Sequence, residues 1–179
     1  MKNLKDIIQE RLHITKDTGN YSYNYHPKDR DELYALINKL IKERGNEANL
    51  NDIDTSEITT MAFLFSNSVF NGDISNWDVS NVRFMNNMFD NSKFDGDISK
   101  WNVSNVDDMF SMFKDSEFTG ENGDISNWDV SNVEYMECMF NGSKFKGDIS
   151  KWDVSNVKNM NSMFKYSPLK NNPPKWYKE

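Results

Sequence analysis

Only 37% of the 179 residues are hydrophobic and the mean hydropathy is −0.80, yet 13% are aromatic, so the apolar material is scarce but heavy. Disordered chains are aromatic-poor, which excludes disorder, and the length suits one domain with a real core. A net charge of −7 and a pI of about 4.9 exclude the basic stripe that nucleic acid or an anionic membrane would need.

Residues 1–26 read as a short amphipathic helix followed by a polar, Tyr-rich linker. Leu4, Ile7, Ile8 and Leu12 form its apolar side. The helix either folds back on the cap at residues 27–49 or serves as a separable docking element. No secretory-type apolar run opens the chain, and no stretch approaches eighteen apolar residues. The single cysteine, Cys138, permits no internal disulfide. The expected location is therefore cytoplasmic or virion-associated, without membrane insertion.

Residues 27–49 predict an amphipathic capping helix. Pro27 lies at its start, Leu33, Leu36, Ile37, Leu40 and Ile41 form one stripe, and Gly45 stops it. Residues 50–167 are a repeat. Trp77, Trp101, Trp128, Trp152 and Trp176 are spaced 24, 27, 24 and 24, the longer interval coming from three extra residues in "FTGENGD". Nine of the ten methionines fall at two phases, and Phe65, Phe89, Phe113, Phe140 and Phe164 share a third. Such columns read as core, not as a cofactor box.

One unit reads I-S-x-W-D-V-S-N-V-x-x-M-x-x-M-F-x-x-S-x-F-x-G-D. Trp77 and Val79 alternate around Asp78, which predicts a short strand, and Met85, Met88 and Phe89 are spaced as on a helical turn. Gly96 is expected to permit the bend into the next unit. A unit of this size cannot bury its inner face alone, so neighbours must stack. The predicted fold is α/β: a right-handed leucine-rich-repeat-like solenoid of about five strand and short-helix units behind an N-terminal helical cap. Residues 168–179 form the C-terminal cap, with Pro173 and Pro174 withholding backbone donors.

The units "FNGDISNWDVSNVRFMNNMF" and its copies resemble BspA-like leucine-rich repeats, also described as a mycoplasma-lipoprotein-type repeat. The preceding "PKDRDELYALINKLIKERGNEANLNDIDTS" is similar to a leader helix found ahead of such repeats in gut bacteria and their phages. The resemblance implies adhesion or other protein binding for surface-anchored members, and no catalytic residues.

Neither His13 nor His26 has a motif partner, and no nucleophile elbow, phosphate loop or zinc spacing occurs. No enzyme activity, metal or cofactor is expected. Asp73, Asp97, Asp124 and Asp148 form a Gly-Asp ladder, read as Asx-type turns, with calcium bridging as the alternative. A second ladder, Asp78, Asn102, Asp129 and Asp153, is expected to project from the strand face beside Asn76, Lys100, Asn127 and Lys151, the two lysines balancing its charge. This row is either a solvated face or a binding face for a partner protein. Phe84, Phe110 and Tyr135 occupy phases where other copies are polar, which makes them candidate exposed anchors or side chains lying flat over neighbouring turns.

The expected function is non-catalytic protein binding through the polar strand face. The alternatives are a structural component docked by the first helix into a larger assembly, or a surface adhesin if an export signal has been lost. A monomer and a part of a larger assembly are both compatible with the sequence.

Overall fold

The computed structural model describes residues 23–178. Helix α1 runs Arg30–Arg44. Asp29 starts it, its carboxylate accepting the N–H groups of Asp31 and Glu32, two donors that a helix N-terminus leaves without intrahelical partners. Pro27 lies outside the helix, so the aspartate and not the proline marks its entry. Gly45 ends α1 at φ 91°, with its N–H bonded to the Ile41 carbonyl. Leu33, Ile37 and Leu40 are buried, and Leu36 and Ile41 pack against the same core.

Polar bonds fix α1 and the chain before it to the first repeat unit. Arg44 holds Asp52 with both guanidinium arms, at 2.9 and 3.0 Å, and Arg30 Nε reaches the Ala62 carbonyl at 3.1 Å. Asn24 and Tyr25 lie along the same unit, bonded to the backbone of Asp52 and Asp54. The amphipathic helix read at Leu4, Ile7, Ile8 and Leu12 lies outside the described residues.

The α/β solenoid of strand and short-helix units does not form. Beyond α1 the described residues hold one 3₁₀ turn, Pro168–Asn171, and no extended strand; their β-pairing is limited to six isolated parallel bridges. The backbone is instead a run of tight turns stacked at the repeat interval. In residues 73–96, Trp77, Val82, Met88, Asp90 and Ser92 each donate to the carbonyl three residues back. Between these, Met85, Asn87, Phe89 and Asn91 donate to Asp108, Phe110, Met112 and Lys114 of the next unit, at 2.7 to 2.9 Å. Each unit thus acts as one rung, bonded upward at alternate residues.

Both corrections have a local cause. A strand needs several residues of uninterrupted extension, but Asp78 accepts the Ser80 N–H at 2.9 Å and turns the chain after W-D-V. A helix needs right-handed backbone throughout, and two residues of every rung are left-handed. One column is Phe63, Asn87, Ser111, Cys138 and Ser162; the other is Asn67, Asn91, Asp115, Gly142 and Tyr166. Each is the third residue of a turn closed by an i to i+3 bond, the type II pattern, which demands positive φ there.

This makes an opposite prediction from a helix. Ser162, at φ 57° and without a side-chain hydrogen bond among the described residues, is expected to tolerate Gly with a gain in thermal stability. Within a helix the same change would cost about 0.5 kcal/mol. A fall in Tm for Ser162→Gly would contradict the turn assignment.

The rungs enclose one apolar interior. Phe65, Phe89, Phe113, Phe140 and Phe164 form a file with ring centroids 5.5 to 6.0 Å apart and nearly parallel planes. Each tryptophan donates its indole N–H to a carbonyl of the preceding rung: Trp77 to Leu50, Trp101 to Ile74, Trp128 to Ile98, Trp152 to Ile125 and Trp176 to Ile149, at 3.0 to 3.2 Å. The three extra residues leave this register intact because they bulge outward. Asn122 bonds the Asp95 carbonyl, and Glu121 pairs with Lys146 at 2.8 Å. Gly96 serves packing and not a bend: a Cβ there would lie 2.8 Å from the Phe94 ring. At the far end Trp176 stacks on Trp152, and Tyr177 meets Phe164 edge-on.

Candidate partner-binding surface

The polar row is solvent-exposed at all eight positions, Asn76, Asp78, Lys100, Asn102, Asn127, Asp129, Lys151 and Asp153. Its acidic members are already used by the fold. Asp78, Asn102, Asp129 and Asp153 each accept the N–H of the serine two residues on, at 2.9 to 3.2 Å. The row is therefore a line of Asx turns and not the outward side of strands. Asn102 does the same work as the aspartates, so acceptor geometry and not charge is what the turn requires. Among the described residues neither Lys100 nor Lys151 forms an ion pair; the Lys151 charge acts instead on Asp124 and Asp148.

The Gly-Asp ladder is built in the same way, Asp73, Asp97, Asp124 and Asp148 accepting from Ser75, Ser99, Ser126 and Ser150. Among the described residues no three His, Cys, Asp or Glu side chains converge so as to hold a metal ion.

These turns carry a pH signature. Hydrogen bonds from Ser126, Ser131, Ser150 and Ser155 hold the carboxyls of Asp124, Asp129, Asp148 and Asp153 below their ordinary range. A depressed folded pKa contributes stability that is present above the unfolded value, about 3.9, and lost as pH falls through the folded one. Asp90 and Asp108 are shifted the other way, by burial first, so protonating them favours the folded chain. Tm is therefore expected to rise slightly as pH falls from neutrality and to drop below about pH 4. A steady decline from pH 7 would contradict these assignments.

Beyond the polar row, each rung presents two further columns that the residue pattern alone did not single out. Asn81, Asn105, Asn132 and Asn156 donate their amide N–H to the carbonyls of Ser56, Ser80, Ser104 and Ser131, at 2.7 to 2.8 Å, one asparagine per rung. Two residues on stand Arg83, Asp107, Glu134 and Lys158. Arg83 pairs with Asp107, and Lys158 with Glu134 at 2.7 Å, a bond that raises the lysine pKa. Together these eight residues line an open groove of about 630 Å³. The signal for the asparagines was their recurrence in every W-D-V-S-N-V or W-N-V-S-N-V copy at a phase that faces no core.

The aromatic candidates border this groove. Parallel bridges join Thr60, Phe84, Asp108, Tyr135 and Asn159 into a column adjoining the charged one. Phe84 is 43% exposed, Tyr135 41% and Phe110 37%, so none of the three lies flat and covered. Phe63, 48% exposed, joins them: its N–H bonds the Asn86 carbonyl, and the Asn87 N–H bonds the Phe110 carbonyl. The cations of the groove sit near the rings, Arg83 at 5.8 Å from the Phe84 centroid and Lys158 at 6.0 Å from that of Tyr135.

The rungs that build this surface match a known family over two overlapping stretches, residues 35–121 and 116–178, described as Mycoplasma protein of unknown function, DUF285. The chain belongs to this family. Both halves of the DUF285 match carry the surface: Phe84, Asp108 and Phe110 lie in the first, Tyr135 and Lys158 in the second. No curated protein and no solved structure matches the chain. Among the described residues no helix is long and apolar enough to cross a membrane.

Proposed function

We propose that this chain is a non-catalytic protein-binding module whose partner docks along the stacked rungs, anchored on Phe84, Phe110 and Tyr135. The observation that carries this reading is that four successive rungs each expose a ring within a few residues of one column, Phe84 and Tyr135 in it and Phe110 and Phe63 two and three residues further along their rungs. Other copies place Asp108, Asn86 or Glu137 at the same phases, so rung formation does not call for an aromatic there. Exposed aromatics grouped on a rigid frame are the residue type that anchors interfaces. Rigid rings also lose little conformational entropy on binding.

The polar row from Asn76 to Asp153 and the groove flank this band in order along each rung and suit a solvated rim. The aspartates of the row are less suited to be anchors, because each already has one oxygen committed to its own turn. The likeness of the units to BspA-like repeats, whose surface-anchored members bind other proteins, supports the same class of function.

The test compares the proteins retained from a host lysate by the immobilised chain and by the triple variant Phe84→Ser, Phe110→Ser, Tyr135→Ser. The exposed changes are expected to leave the thermal transition within a few degrees of the parent and to lose the specifically retained protein. Retention of the same proteins by the folded triple variant would remove the band as the binding surface.

A further inference from the structure

We propose that Asp108, set between Phe84 and Tyr135 on this band, receives an arginine side chain presented by the partner protein. The inference rests on the protein-binding reading above and names the chemistry of its central contact. Bridges from Phe84 to Asp108 and from Asp108 to Tyr135 put the carboxylate in one column with an exposed ring on the rung to either side. Phe110 lies two residues on, also exposed, and its N–H is bonded to one Asp108 oxygen at 2.8 Å. The other oxygen has no hydrogen-bond or ionic partner among the described residues.

Charge matching around Asp108 is incomplete. Arg83 is held by Asp107 and Lys158 by Glu134, so two cations serve three carboxylates and Asp108 is the unmatched one. It is half-buried, and burial followed by the nearby Asp107 charge raises its pKa. An arriving cation would relieve both effects. With rungs roughly 4.8 Å apart, rings two rungs apart stand on the order of 10 Å from each other across Asp108, room for one planar group.

Guanidinium fits this site better than ammonium. It is flat and weakly hydrated, it stacks on aromatic faces, and it offers N–H groups in the plane where a carboxylate accepts them. Arg83 and Lys158 beside Phe84 and Tyr135 show that rings of this band keep company with cations already. The chain's charge of −7 would favour the approach of a basic partner.

The experiment is an NMR titration of the whole chain with N-acetyl-arginine amide, beside N-acetyl-citrulline amide, which has the same shape without the charge, and N-acetyl-lysine amide. Shift changes are expected at Phe84, Asp108, Phe110 and Tyr135 with the arginine probe, and at least roughly tenfold weaker binding of the other two. Asp108→Asn keeps an acceptor for the Phe110 N–H, as Asn102 does in its own turn, and removes a half-buried charge, so it should match or slightly exceed the parent Tm while losing the arginine response. Equal responses to citrulline or lysine, or an arginine response that survives Asp108→Asn, would overturn the assignment. If Asp108→Asn still retains the lysate partner while the aromatic triple variant does not, the binding surface stands and the arginine contact falls. If the triple variant retains it, the surface itself falls.

Discussion

Phe113→Ala is expected to cost about 3–5 kcal/mol, the range for emptying a fully enclosed aromatic site. The ring is completely buried and lies between Phe89 and Phe140 in the central file, with Phe118 stacked at 4.3 Å. Its removal opens a hole that the rungs cannot close by collapse, because backbone bonds to the rungs on both sides fix their separation. Phe113 itself donates to the Met139 carbonyl and Phe89 to the Met112 carbonyl. For a chain of this length such a loss lowers Tm by roughly 6–20 °C. Phe164→Ala, at the end of the file with one phenylalanine of the file beside it, should cost less, since stability in stacked repeats is carried by nearest-neighbour contacts. Equal costs measured by urea unfolding, or a Phe113→Ala cost under about 1 kcal/mol, would show that the file is not a continuous core.

Gly72→Ala is the second large effect, and its cause is contact and not backbone freedom. A Cβ on Gly72 would stand 2.0 Å from the Ala48 carbonyl oxygen and 2.8 Å from the Ala48 nitrogen, both backbone atoms that cannot rotate away. The two segments are pinned together on either side, by Asn71 donating to Asn46 and Asp73 donating to Ala48. One methyl group therefore has to separate the first rung from the segment that leaves α1. Overpacking of this kind costs about 1–3 kcal/mol, and more where ladder bonds break. Gly45 supplies the contrast. Its surroundings are open, but φ 91° with ψ 172° is a backbone region almost confined to glycine, so Gly45→Ala should cost only that backbone strain, about 1–3 kcal/mol, with no clash to add. A Gly72→Ala midpoint indistinguishable from the parent would place the two segments further apart than these contacts allow.

The sequence disclosed the interval and the interior far better than the backbone that carries them. Methionine, phenylalanine and tryptophan recur at fixed phases because each fills the same place inside successive rungs, and from Met61 to Met163 the residues at those phases are buried, with Met160 partly so. Secondary structure is less legible because apolar spacing reports which residues face inward, not the φ and ψ between them. Met85, Met88 and Phe89 face the core as they would on a helix, yet Asn87 between them is left-handed. A trace of this was visible. The column Asn67, Asn91, Asp115, Gly142 contains the residues that best tolerate positive φ, and only Tyr166 breaks the pattern.

The candidate surface was legible in part for a similar reason. Phe84, Phe110 and Tyr135 stood out because copies disagree at their phases. Asp108 did not, although the repeat phase already sets it in one column with Phe84 and Tyr135, at intervals of 24 and 27 residues. What the phase does not state is the pairing of Arg83 with Asp107 and of Lys158 with Glu134, which leaves Asp108 without a cation.

The central claim is that alternate N–H groups of each rung bond upward to the next rung and not back along a helix. Through-hydrogen-bond scalar couplings measured by NMR report donor and acceptor directly. The Phe113 nitrogen should couple to the Met139 carbonyl carbon and the Phe89 nitrogen to that of Met112. Couplings from Phe113 to Met109 and from Phe89 to Met85, the helical partners four residues back, would contradict the stacked-rung backbone.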